Sequence, residues 1–257
     1  MAISVQLAAN LTNTYFDYKN GVDIVDERQT KYRLDRGLAN GTVSEQMIVT
    51  SMIAFYGIAI FSIMPMIMAA KGWHLLGVFC LGLSLAFFYT ANPFGIGGLK
   101  YRAMGDICIF LCFGPLLMQC VSLLITGSIN TSLNLYCIPI GLLTEAILHA
   151  NNSRDIKTDM KAGAVTLAGL IGIERSYVLY IGLFAGAYLT SAVIVLYHHW
   201  GCLLTFVTIP IAVNLVNHFS RRELDCLPQM TSKLHLPFGL LFFAGIMLTK
   251  NGLLHYL

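Results

Sequence analysis

The chain has 257 residues, of which 56% are hydrophobic and only 11% charged, and it carries a formal net charge of +3. A soluble domain holds about 25% charged residues, so this composition excludes an ordinary water-soluble globule; it is that of an integral membrane protein whose length suits one domain. The small positive balance forms no basic stripe and gives no argument for nucleic acid as a partner.

Residues 1 to about 16 are mildly apolar and lack the basic n-region of a signal peptide, so they read as a transmembrane helix. A polar loop follows from Asp17 to about Glu45. Met47 to Ala70 is an uncharged apolar run, longer than the roughly 20 residues a span needs. Lys71-Gly72 is a turn, and Leu75 to Tyr89 is the next span. Thr90 to Gly105 is a Gly- and Pro-containing loop that holds Lys100 and Arg102. Ile107 to Thr126 and Leu133 to Leu148 form a pair of spans across a short polar turn. After a polar segment, Ala162 to Gly172 reads as a short helix lying over that segment. Tyr177 to Tyr197 spans again, and His198-His199-Trp200 is a turn with interfacial histidines. Cys202 to Val216 returns, a polar loop runs to about Leu236, and Phe238 to Leu248 is the last helix. The expected fold is all-α: a polytopic bundle of eight transmembrane helices, with no alternating strand pattern.

The charges test this topology. If the loops alternate between two sides, all of the 16 basic residues except Lys71 and Lys250 fall on one side. The positive-inside rule makes that side cytosolic. The 13 acidic residues fall on or near the same side. The seven cysteines lie mostly within apolar runs, with no CxxC, and read as small packing residues. Cys108 and Cys112 share a helix face, which leaves a redox pair open.

The most informative stretch is Asn151 to Asp159. Asn151, Asp155 and Asp159 sit at i, i+4 and i+8, which on a helix places them on one stripe. Two carboxylates and an amide on one face accept a hard cation such as Mg²⁺, commonly shared with a substrate phosphate. The bland reading is a solvated helix end with ordinary surface charges. A second copy near the start argues against it. Asn13 and Asp17 repeat the spacing, and Asp23 follows the turn signal Asn20-Gly21. Two such sites suit two metal clusters gripping one diphosphate. Asp106, at a helix start, reads as a capping carboxylate.

In the stretches Asn10 to Asp23, Thr144 to Asp155, Lys161 to Leu167 and Leu227 to Leu234, the chain resembles the UbiA superfamily of intramembrane prenyltransferases, over essentially its whole length. Within that superfamily it looks most similar to the animal members that make menaquinone-4, or vitamin K₂. The resemblance implies a single UbiA-type membrane domain over residues 1–257, in the endoplasmic reticulum or Golgi. It implies transfer of a prenyl group, geranylgeranyl by likeness, from its diphosphate to a naphthoquinol, reduced menadione. Asp17, Asp23, Asp155 and Asp159 are then the catalytic, Mg²⁺-binding residues. Asn13, Asn151, Asn152, Lys100, Arg154 and Arg36 bind substrate. Lys100 meets the diphosphate as a point charge, or is a juxtamembrane lysine. Tyr89 faces the carbocation, or is an interfacial belt tyrosine. A sterol-synthesis enzyme is a further partner by resemblance.

UbiA proteins usually have nine spans, so the eight visible here would lack the first, leaving the cavity open beside residues 1 to 16. A second reading follows: a catalytically weak relative that binds prenyl diphosphate or regulates other membrane proteins. A transporter is the third, disfavoured because an inverted repeat of broken helices is not visible.

Overall fold

The computed structural model describes residues 1–21, 37–38, 41–69, 72–93, 98–197 and 199–249. Eight main helices appear in the expected order: α1 Ala2–Lys19, α2 Glu45–Ala69, α3 Trp73–Phe88, α4 Gly105–Thr126, α5 Asn134–Lys161, α6 Leu167–Leu196, α7 Trp200–Ser220 and α8 Leu227–Leu248. Among the described residues there is no strand, only an isolated parallel bridge between Arg102 and Val165. Six of the helices, α2 and α4 to α8, are long and apolar enough to cross a membrane; α3 is apolar but shorter, at 16 residues. The chain is an integral membrane helical bundle.

Apolar side chains face both lipid and core, so burial rather than composition separates the helices. The larger core joins α5, α6, α7 and α8 around Leu143, Tyr180, Phe219 and Phe238. Two of its hydroxyls pair across helices, as a dry interior favours: Tyr180 and Thr231 share a 2.7 Å hydrogen bond. A smaller core gathers Ala59 and Ile63 of α2, Leu75 and Phe79 of α3, and Cys120 and Leu123 of α4. The helix α5 is the most buried of the spans.

Several boundaries differ from the sequence reading for identifiable reasons. The helix α5 does not stop at Leu148 but continues through the polar segment to Lys161, so the acidic stripe is helical. The loop expected up to Leu236 ends early, because α8 starts at Leu227 with Pro228 in its first turn. Its polar residues are paired inside the bundle, as in the 3.1 Å contact of His235 Nε2 with Thr144 Oγ1. The short arm after the acidic stripe is present, and Gly172, with φ of 77°, breaks α6 there. The helix α7 opens with tight turns over Trp200–Thr208. There Gly201 meets Gly245 so closely that a Cβ on Gly201 would lie 2.1 Å from the Gly245 carbonyl oxygen. His199 is not interfacial: it is buried and packs edge-on against Tyr136 at 5.4 Å. His198, Lys71 and Lys250 lie outside the described residues.

Among the described residues, two ion pairs join helix ends. Lys19 pairs with Glu45 at 2.7 Å, joining the end of α1 to the start of α2. Arg222, before α8, pairs with Glu174, near the start of α6.

Candidate functional site

The last two turns of α1 carry Asn13 and Asp17, four residues apart and therefore on one face. Thr12 holds α1 against α2 through a 3.1 Å hydrogen bond with Tyr56. Asp17 is buried, and its carboxylate is occupied on both oxygens. The Lys100 ammonium donates to Oδ2 at 2.7 Å, and the Tyr101 hydroxyl donates to Oδ1. These donors come from a single turn at Leu99–Tyr101, pinned to the end of α3 by the Lys100 amide on the Tyr89 carbonyl at 2.8 Å. The Asn13 side-chain oxygen is buried and accepts no hydrogen bond from the described residues.

The last turns of α5 supply the second half. Arg154 forks onto Asp155, with Nε to Oδ1 at 2.6 Å and Nη2 to Oδ2 at 2.5 Å, and Nη2 also reaches Asn151 Oδ1 at 2.8 Å. Asp159 is buried one turn further on. It lies within electrostatic reach of Lys100, Asp155, Asp17 and Arg154, so the two halves are near one another. Asn152 is buried on a different face of α5, three residues on from His149. Asp23 and Arg36 lie outside the described residues.

Beneath the acidic groups a cavity of about 400 Å³ runs between α1, α3 and α4. That is within the ~300–1,000 Å³ of sites that take small molecules. Asn13 and Tyr89 line its charged end; Leu117, Cys120 and Met1 line the other. Tyr89 is thus in the cavity wall and buried rather than exposed at a membrane surface. The walls between are mostly apolar; Gln6 and Asn10 of α1 and the free thiols of Cys108 and Cys112 are polar side chains among them. The cavity flanks α1 along Met1 to Asn13.

The donor set suits a hard divalent cation: carboxylates and amide oxygens, with one amide oxygen already lacking a donor. In their resting arrangement Asp17 and Asp155 are neutralised from within, by Lys100 and by Arg154. Cations so placed can hold either a carboxylate or a phosphate.

Sequence reasoning missed three residues here. Tyr101, inside the quoted loop, had no role, yet it closes the second oxygen of Asp17. Glu145 and His149 sit within and just after the apolar run of α5, and both are buried. The signal was available, since an ionisable residue inside a membrane span is itself a mark of function. Asp106 is corrected: its carboxylate turns inward to His149 Nδ1 at 3.3 Å instead of capping its helix.

A profile described as the UbiA prenyltransferase family matches residues 1–247. The chain is 37% identical to UbiA prenyltransferase domain-containing protein 1 of Gallus gallus, over 98% of this chain and 73% of that protein. It is 38% identical to the Mus musculus protein of the same name, over 97% of this chain and 72% of the relative. The Dictyostelium discoideum protein of that name is 34% identical, over 97% and 75%.

Proposed function

The chain belongs to the UbiA prenyltransferase family, and from that premise we propose that it moves a geranylgeranyl group from its diphosphate to reduced menadione, yielding the quinol form of menaquinone-4, which is oxidised to the quinone afterwards outside this site. The observation that carries this reading is the gathering of Asp17, Asp155 and Asp159 within electrostatic reach of one another, with Lys100 on Asp17 and Arg154 on Asp155, near a mostly apolar cavity whose lining includes Asn13 of the same α1 face.

In the proposed reaction the allylic C–O bond breaks and the diphosphate leaves with the electron pair. A ring carbon of the quinol then bonds to the prenyl carbon, and the ring proton is lost to restore aromaticity. Asp17, Asp155 and Asp159, with Asp23 by resemblance, would hold Mg²⁺. When bound, the ion neutralises charge developing on the leaving group. Lys100 and Arg154 pass from their carboxylates to the diphosphate, and Asn13 and Asn151 supply neutral oxygens beside it. Asn152 and Arg36 stay assigned to substrate by resemblance alone. The apolar walls keep water from the cation until the ring attacks. The Tyr89 ring offers its π face at the charged end of the cavity, where an allylic cation would form. By the same resemblance the site opens to the cytosol from the endoplasmic reticulum or Golgi membrane, and a sterol-synthesis enzyme is a partner.

The test is transfer of radiolabelled geranylgeranyl to menadiol by membranes carrying residues 1–257, with and without Mg²⁺. Label in menaquinone-4 only with Mg²⁺ supports the proposal. Diphosphate binding without transfer would replace it with the binding or regulatory reading.

A further inference from the structure

Where α4 begins and packs on α5, three buried side chains converge: Asp106 from the first turn of α4, and Glu145 and His149 from adjacent turns of α5. One ligand atom from each lies within 4.8 Å of the others. None belongs to the acidic pattern at the bundle end, and the proposed chemistry uses none of them.

Their hydrogen bonding is incomplete in a specific way. His149 Nε2 lies 3.1 Å from the carbonyl oxygen of Ser176 on α6. A carbonyl can only accept, so Nε2 carries the proton. In a neutral ring Nδ1 is then a bare lone pair, yet it faces the Asp106 oxygen at 3.3 Å, another acceptor. Both oxygens of Glu145, a residue only 5% exposed, have no hydrogen-bond partner among the described residues. Without a proton or a cation held between them, three acceptors would meet in a buried interior, an arrangement that is costly to leave uncompensated.

We propose that Asp106, Glu145 and His149 bind a transition-metal dication of the zinc class, which staples α4 to α5. Two carboxylates and a neutral imidazole balance a divalent charge, so the site becomes neutral within the bundle. The Nδ1–Oδ1 separation of 3.3 Å matches the edge of a tetrahedron with bonds of about 2.0–2.1 Å. A ligating histidine characteristically gives its other ring N–H to a carbonyl or carboxylate, which is what Ser176 receives. The nitrogen donor and the dry surroundings favour a zinc-class ion over Mg²⁺, which takes oxygen ligands and keeps its waters. Bound there, the ion fixes the start of α4 and hence the turn that presents Lys100 to Asp17.

The experiment is elemental analysis of the full chain, purified in detergent without chelator, then stripped and reloaded with Zn²⁺ or Co²⁺. The expected result is one stoichiometric zinc-class ion, lost in Asp106→Asn and Glu145→Gln and kept in Asp17→Asn and Asp155→Asn. Co²⁺ loading should give the visible absorption of a tetrahedral site. Stripping the unaltered chain should lower its melting temperature, and Zn²⁺ should restore it, so the answer does not depend on the variants folding. A chain with no bound transition metal after loading, and with a melting temperature indifferent to chelator, would overturn the proposal and leave protons as the shared charge. Because these readouts are metal content and stability, they are independent of prenyl transfer.

Discussion

Lys100 and Asp17, 83 residues apart in sequence, meet in an ion pair of 2.7 Å at the charged end of the bundle. Their side chains are only 17% and 11% exposed, so water does little to screen the pair. The lysine is held by the loop after α3, the aspartate by the last turn of α1. The contact joins two separately folded parts of the bundle at the point where substrate charge would arrive.

Removing the lysine should be costly in two separable ways. Lys100→Met is expected to cut kcat/KM for prenyl transfer by ~10²–10³-fold, the loss seen when one preorganised donor is deleted. It should also destabilise the fold by roughly 3 kcal/mol, since Asp17 stays buried with one donor fewer. Adding Asp17→Asn should recover melting temperature but not activity. Thermal unfolding in detergent beside a transfer assay reads both.

Mg²⁺ and prenyl diphosphate should bind with positive coupling. The metal must displace Lys100 and Arg154 from their carboxylates, and the diphosphate is the anion that gives those two cations a new partner. Titration calorimetry should show each ligand tightening the other by at least ~5-fold, the lower end of ordinary coupling. Independent binding would mean that Lys100 and Arg154 stay where they are.

Asp155→Asn should keep the helix and its contact with Arg154 while removing the charge. Transfer is expected to fall by ~10²-fold or more, with membrane insertion and melting temperature close to the unaltered chain. Activity within a few-fold of normal would take Asp155 off the site.

Chain-length selectivity should respond to Gly82. It lines the cavity, and a Cβ there meets nothing within 4 Å. Gly82→Leu improves helix propensity by about 1 kcal/mol, so the fold is preserved while the side chain enters the cavity. The expected outcome is a loss of transfer from a twenty-carbon donor with a ten-carbon donor spared, measured as the ratio of the two kcat/KM values.

Where the backbones of α7 and α8 touch, small residues are compulsory. Gly245→Ala would bring a Cβ to 2.3 Å from the Gly201 carbonyl oxygen, and no flexible side chain is there to give way. A fall in stability of roughly 1–3 kcal/mol is expected, with KM for diphosphate unchanged because the contact is remote from Asp17 and Asp155.

Much of this arrangement was legible in the residues. The apolar runs located the helices, and the Asn-x3-Asp spacing located both halves of the site, because a helical stripe follows directly from sequence spacing. The ends of α5 and α8 were misread because polar residues there resemble loop, whereas His235 and Thr231 find partners on neighbouring helices. No periodicity reports such partners in advance. Tyr101 was invisible for a related reason: its role depends on a loop folding back over α1. Asp106 was misassigned because position at a helix start fits a cap equally well, and only His149, 43 residues away, decides between the two.

The bridge between Arg102 and Val165 has a mechanical corollary. Ala103 donates its amide to the Val165 carbonyl at 2.7 Å, and the Val165 amide faces the Tyr101 carbonyl at 3.4 Å. Ala103 sits at φ of 56°, a left-handed conformation that only such a clasp sustains for a residue with a side chain. The turn carrying Lys100 and the segment leaving α5 are therefore one latch rather than two flaps. A backbone displacement of this turn away from α1 therefore has to carry Val165 with it or break both amide hydrogen bonds.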